Sequence, residues 1–160
     1  MLKMNDRSSR QWKMQQKLKK LKTKNKTDTN PLFTECLESL GDKTLIFSQE
    51  KSQQIANNLI NLFPITVSGK IDWEQIDNQL IASNKEQLIS LIRANQLDFD
   101  EQIFILWDNY EMPVVSTNLD KVFQSLIDVD AVSFYYWLLD KEYRFVIEIK
   151  DEEMIRVGFR

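Results

Sequence analysis

Histidine is absent from the 160 residues of this chain, and cysteine occurs once, at Cys36. Without an imidazole there is no histidine-based triad, no imidazole metal ligand and no side chain that ordinarily titrates near neutrality. A single cysteine excludes an internal disulfide and a zinc cluster built on thiolates. Three Gly and three Pro are too few for a collagen-like, Pro-rich or loop-dominated chain. Gly41, Gly69 and Gly158 lie too far apart to build a phosphate-cradling loop. No apolar run approaches the ~20 residues of a membrane span. The N-terminus is basic but lacks an apolar signal segment, so the expectation is a cytoplasmic protein with no membrane, metal or cofactor partner.

What the chain does have is a hydrophobic content of 42%, ample for one core, and a length that fits one domain. Its net charge of −3 conceals two opposed regions. Residues 1–30 hold ten Lys/Arg against Asp6 and Asp28, a charge of +8, whereas residues 31–160 hold 11 Lys/Arg against 22 Asp/Glu, a charge of −11. A basic tract rich in Gln, Ser, Thr and Asn buries too little apolar surface to offset its ordering entropy. Residues 1–30 therefore read as a flexible basic tail and residues 31–160 as an acidic domain, with a boundary at Asn30-Pro31. Met4 and Met14 are candidate alternative translation starts within the tail.

Periodicity gives the elements of the body. Phe33–Leu40 before Gly41 reads as a helix with a glycine stop, and Thr44–Phe47 as a short strand. Ser48 caps a helix through Phe63, ended by Pro64, with Ile55, Leu59, Leu62 and Phe63 as its buried stripe. Ile65–Ile71 reads as a β-like stretch broken by Ser68-Gly69. Asp72 is expected to cap a further helix carrying Trp73, Ile76 and Leu80, and Ser83-Asn-Lys-Glu86 to form a capping box for the next. Gln102–Trp107 is a continuous apolar run, as in a strand covered on both faces. Pro113–Ser116 gives a second strand, and Thr117-Asn118 opens a helix. Ala131–Leu139, Glu142–Lys150 and Met154–Phe159 read as three antiparallel strands joined by short turns. In the middle one Tyr143, Phe145, Ile147 and Ile149 face one way. Glu142, Arg144, Val146, Glu148 and Lys150 face the other, predicting one dry and one largely wet face. The fold class is α+β: a single domain with N-terminal helices packed on a mainly antiparallel sheet of four to five strands.

Residues suited to chemistry are few. The carboxylates Asp98, Asp100 and Glu101, Asp128 and Asp130, and Asp151 to Glu153 sit at expected turns, where solvation is their simplest role. Cys36 lies on an apolar helix stripe with no histidine to activate it. Tyr135 and Trp137 share one sheet face while Phe134, Tyr136 and Leu138 share the other, so one aromatic pair lies on a less buried side, as interface anchors do. An acidic body suits a basic partner, because complementary fields steer encounter and orientation. Composition thus favours binding over catalysis.

Several stretches resemble the small immunity proteins of polymorphic toxin systems, the contact-dependent growth inhibition type. They are Phe63-Pro-Ile-Thr-Val-Ser-Gly-Lys-Ile-Asp-Trp73, Phe104-Ile-Leu-Trp-Asp108 with Pro113-Val-Val115, Asp128-Val-Asp-Ala-Val-Ser-Phe134, Phe145-Val-Ile-Glu148 and Val157-Gly-Phe159. The resemblance covers roughly residues 40–160 and consists of strand patterns rather than a catalytic signature. It implies a noncatalytic cytoplasmic protein that neutralises one cognate toxin, often a nuclease with a basic surface. Toxin contacts are then expected at Asp98, Asp100, Glu101, Asp108, Tyr110 and Glu111, beside the ends of the Phe104–Trp107 strand, and at Trp137. The alternative is a nucleic-acid-associated protein acting through the tail lysines Lys13, Lys17, Lys19, Lys20, Lys22 and Lys24.

Overall fold

The computed structural model describes residues 13–14, 30–109, 111–150 and 154–160. Tyr110, the Asp151–Glu153 turn and the tail lysines Lys17, Lys19, Lys20, Lys22 and Lys24 lie outside these residues.

Local chemistry sets the helices. Asn30 Oδ1 accepts from the backbone N–H groups of Leu32 and Phe33, and Pro31 takes the first position of α1 (Pro31–Leu40), where its missing N–H costs nothing. Gly41 closes that helix, donating its N–H to Leu37 O. Ser48 caps α2 (Gln49–Leu62) by accepting from Lys51 N, and Pro64 follows its end. The capping box of α3 (Lys85–Ala94) lies one residue later than expected. Asn84 Oδ1 accepts from Gln87 N at 2.8 Å, while Gln87 Oε1 accepts from Ser83 N and Oγ. Two short helices, α4 (Leu119–Gln124) and α5 (Leu126–Val132), follow under the cap of Asn118.

The strands are β1 (Leu45–Ile46), β2 (Gln79–Ala82), β3 (Gln102–Trp107), β4 (Val115–Asn118), β5 (Tyr135–Asp140), β6 (Phe145–Lys150) and β7 (Met154–Phe159). They form one antiparallel sheet in the order β1-β4-β3-β5-β6-β7-β2. The α+β single domain therefore stands, with five α-helices among the described residues, but seven strands replace the expected four to five. β1 falls within the short strand expected at Thr44–Phe47 but has only two residues, whereas β2 lies where a helix was expected from Asp72 through Leu80. That helix amounts to one 3₁₀ turn at Trp73–Gln75, and Asp72 makes no side-chain cap. Gln79 Nε2 donates instead to the carbonyls of Trp73 and Ile76, both at 2.8 Å, and pairing of Gln79–Ala82 with β7 takes over. Ala131 and Val132, expected in a strand, end α5, so β5 starts only at Tyr135.

Both sheet faces are covered, which corrects the expectation of a wet side. Ile105, Tyr136, Leu138 and Ile147 meet α1, α3, α4 and α5 on the first face. On the second, Phe104, Leu106, Leu139 and Val146 meet Ile55 and Leu59 of α2 together with Phe63, Ile71, Trp73 and Ile76. Leu62, expected in the α2 stripe, is exposed. Burying each such aliphatic side chain contributes roughly 1.5–3 kcal/mol. Polar pins accompany the first core. Asp130, expected at a solvated turn, is buried in α5 and accepts from Tyr136 OH at 2.6 Å and from Lys85 Nζ at 2.9 Å. Trp107 Nε1 donates to Val129 O at 3.0 Å.

Gly158 joins the second core to the sheet. A Cβ there would lie 2.9 Å from the Trp73 ring and 3.2 Å from Ile76, so only glycine lets the indole sit on β7.

Candidate functional site, a groove over the second sheet face

The second face is incompletely roofed. Beyond α2 its cover is the irregular segment from Phe63 to Ile76, which folds back on itself. Thr66 N donates to Lys70 O at 2.7 Å, Gly69 N to Thr66 O at 3.0 Å, and Ile65 bridges Ile71. Gly69 takes a φ of +82°, a conformation L side chains rarely adopt. Between this turn, α2 and the loop following β3 lies a groove of about 720 Å³. Its floor is Leu106, Ile71 and Trp137, its walls include Ile60 and Ile65, and Asp108 and Glu111 stand in its lining with Asn109. Ile60 and Val67 add exposed apolar surface nearby, Val67 at the tip of the turn. The loop is held in place by its own bonds: Asp108 N donates to Tyr135 O, Met112 N to Asn109 O and Glu111 N to Asn109 Oδ1. Pro113 precedes β4, and Val114 N donates to Ser52 Oγ of α2 at 2.9 Å.

Under one wall lies a carboxylate that the sequence placed in water. Glu148 is 6% exposed. Its Oε1 accepts from Trp73 Nε1 at 2.9 Å, and its Oε2 accepts from Tyr135 OH at 2.8 Å and Trp137 Nε1 at 3.0 Å. A buried carboxylate is costly without donors, and three fixed donors meet that cost here. Burial, then the hydrogen bond to Glu148 and the charges of Glu148 and Asp108, push the Tyr135 phenol far above its ordinary range, so it remains a neutral donor. The Tyr135 and Trp137 rings are 4.7 Å apart. Lys70 Nζ sits 4.2 Å from the Tyr135 centroid and 5.7 Å from that of Trp137, and donates to Asp108 Oδ2 at 3.0 Å.

The residues singled out by sequence divide into two groups. Asp108, Glu111 and Trp137 come together in the groove. Asp98, Asp100 and Glu101 precede β3 and so lie at its other end, ~20 Å away at the usual rise per residue. There Asp98 Oδ1 accepts from Asp100 N in a local turn. Glu101 pairs with Arg144, whose Nε also bonds Asp140 Oδ2 at 2.8 Å. Asp140 is fully buried; burial opposes its ionisation, but the hydrogen bonds and charge of Arg144 outweigh it and hold the carboxyl below its usual range. Of the tail lysines, Lys13 is described, and its Nζ reaches Asp128 at 2.5 Å and Glu35 at 3.8 Å. Sequence reasoning did not assign Lys70, Tyr135 or Glu148 to a site. The period-two pattern of β5 did pair Tyr135 with Trp137, but nothing local shows that Trp73 reaches Glu148.

Among the described residues, no group of three or more Cys, Asp or Glu side chains converges as metal ligands do. None of their helices is long and apolar enough to cross a membrane.

This chain belongs to the CdiI immunity protein family: the family model described as CdiI immunity protein EcoliA0-like matches residues 30–158. No curated protein matches it. Membership implies a cognate toxin as partner. The matched region begins at the cap of α1 and takes in the sheet up to the penultimate residue of β7.

Proposed function

We propose that this protein neutralises one cognate toxin by binding it through the groove between α2, the Phe63–Ile76 segment and the Asp108–Val114 loop. It acts in the cytoplasm, without catalysis and without a cofactor. The observation that carries the reading is the groove itself: an apolar floor with a tryptophan, flanked by carboxylates, in a member of an immunity family. Buried aromatic anchors surrounded by polar residues are where binding energy concentrates. The groove's Asp108 and Glu111, within a body of charge −11, favour a toxin with a basic surface, such as a nuclease, and would speed its capture. Tyr110 falls between Asp108 and Glu111 in the sequence and remains a candidate contact. Asp98 and Asp100 would add a second, outlying contact, while Glu101 serves the Arg144 pair.

The acidic domain of residues 31–160 is the neutralising unit, and the basic tail is dispensable to it. Co-expression with the toxin encoded immediately upstream should restore growth, and removal of residues 1–29 should leave that protection intact. Continued killing with both proteins soluble refutes the reading.

A further inference from the structure

The Lys70 ammonium rests in a site made by other residues. Asp108 supplies a carboxylate at 3.0 Å, and the faces of Tyr135 and Trp137 lie 4.2 and 5.7 Å away. A carboxylate beside two π-faces is the chemistry that receives an alkylammonium or guanidinium group. The two rings are anchored independently of the lysine. The Tyr135 hydroxyl and the Trp137 indole N–H both donate to Glu148 Oε2, fixing the ring planes and placing a buried negative charge behind them. Lys150 Nζ also lies near, 5.9 Å from the Tyr135 centroid. The Lys70 backbone is held in its turn by Thr66, whose N donates to Lys70 O at 2.7 Å and whose Oγ1 accepts from Lys70 N at 3.2 Å, but its side chain and that of Asp108 are each about two-fifths exposed. Pairs so open to water are weak and exchange readily. Asp108 and Trp137 both line the groove, whereas Tyr135 and Lys70 do not, so a partner lying there meets the site at the groove's edge.

We infer that Asp108, Tyr135 and Trp137 form a receptor for one lysine or arginine side chain of the partner protein, and that Lys70 occupies it until that side chain displaces it. This deepens the toxin-binding reading and rests on it for the identity of the partner. The receptor chemistry can be tested without the toxin. Exchange makes Lys70 a competitor of the partner, so losing it should help binding, whereas losing Asp108 should harm it.

The first measurement is a titration of the full-length protein with ethylguanidinium chloride, following the indole N–H resonance of Trp137, with sodium chloride at equal ionic strength as the reference. Lys70→Met keeps the aliphatic stem and removes the charge. It should give a saturable shift with an apparent Kd at least ~10-fold lower than the wild type, because a tethered lysine competes at a high effective concentration. Adding Asp108→Asn to Lys70→Met should abolish saturation. A linear response in Lys70→Met, no different from sodium chloride, overturns the inference. The second measurement is affinity for the upstream-encoded toxin. Lys70→Met should bind as well as the wild type or better, and Asp108→Asn about tenfold more weakly. Equal weakening by both variants assigns Lys70 to the interface itself and also overturns the inference. A protein that takes up ethylguanidinium in the Lys70→Met form yet fails to protect against the toxin sinks the immunity reading alone. One that protects but shows no saturable site sinks the receptor alone.

Discussion

The two faces of the sheet are built for different ends. The first is roofed by four helices whose apolar stripes close over Ile105, Tyr136, Leu138 and Ile147, and its polar groups pin helix to strand, as Asp130 does between Lys85 and Tyr136. The second has one full helix and a stretch of irregular backbone, and its buried carboxylate, Glu148, holds three aromatic side chains in place rather than an element. Closing one face completely supplies stability. The other can then stay partly open and expose apolar surface that a monomer ordinarily hides. The groove proposed for recognition lies where the roof is thin.

That contrast can be broken at its strong end first. Leu138→Ala removes a fully buried side chain from the closed face and should cost about 2–5 kcal/mol, read as a lower midpoint in urea denaturation. Glu148→Ala should cost on the order of 1–3 kcal/mol for the donors left unpaired. It should also release the indole N–H resonances of Trp73 and Trp137 from their present positions, which a mere loss of packing elsewhere would not do. Asp140 tests the sheet end away from the groove. Its folded carboxyl titrates below the ordinary Asp value, so its contribution is complete above the unfolded value of about 4 and is lost as pH falls through the lower folded one. Stability should therefore decline on acidification below about pH 4, and Asp140→Asn should flatten that part of the curve. The smallest stability effect belongs to the open face. Val67→Ser should change stability by less than about 0.5 kcal/mol, while weakening toxin binding measured by calorimetry. A large loss of stability in this variant would show that the tip is part of the core.

Much of this fold was legible one element at a time. Gly41 and Pro64 ended their helices as written, Ser48 capped as expected, and the unbroken run Ile103–Trp107 announced a strand covered on both sides. The errors came where partners are distant in sequence. Trp73, Ile76 and Leu80 have helical spacing, yet Gln79 and the neighbouring β7 draw Leu80 into a strand. Glu148 occupies an alternating position that reads as wet, and only the arrival of Trp73 from the first half of the chain makes it dry. Of the candidate contacts, Asp108, Glu111 and Trp137 converge because loop and strand alternation are local signals. Asp98 and Asp100 looked equivalent to them because a strand's two ends are indistinguishable in a one-dimensional pattern. Lys70 carried no signal at all, being one cation among 21.

The seat of Trp73 on Gly158 has a consequence for the timing of synthesis. The indole cannot settle, and β2 cannot find its neighbour, until β7 has been made, because both depend on residues 154–159. The Phe63–Ile76 cover of the second face is thus completed only when β7 is in place, and a variant lacking residues 154–159 would carry most of its sheet with that cover unseated.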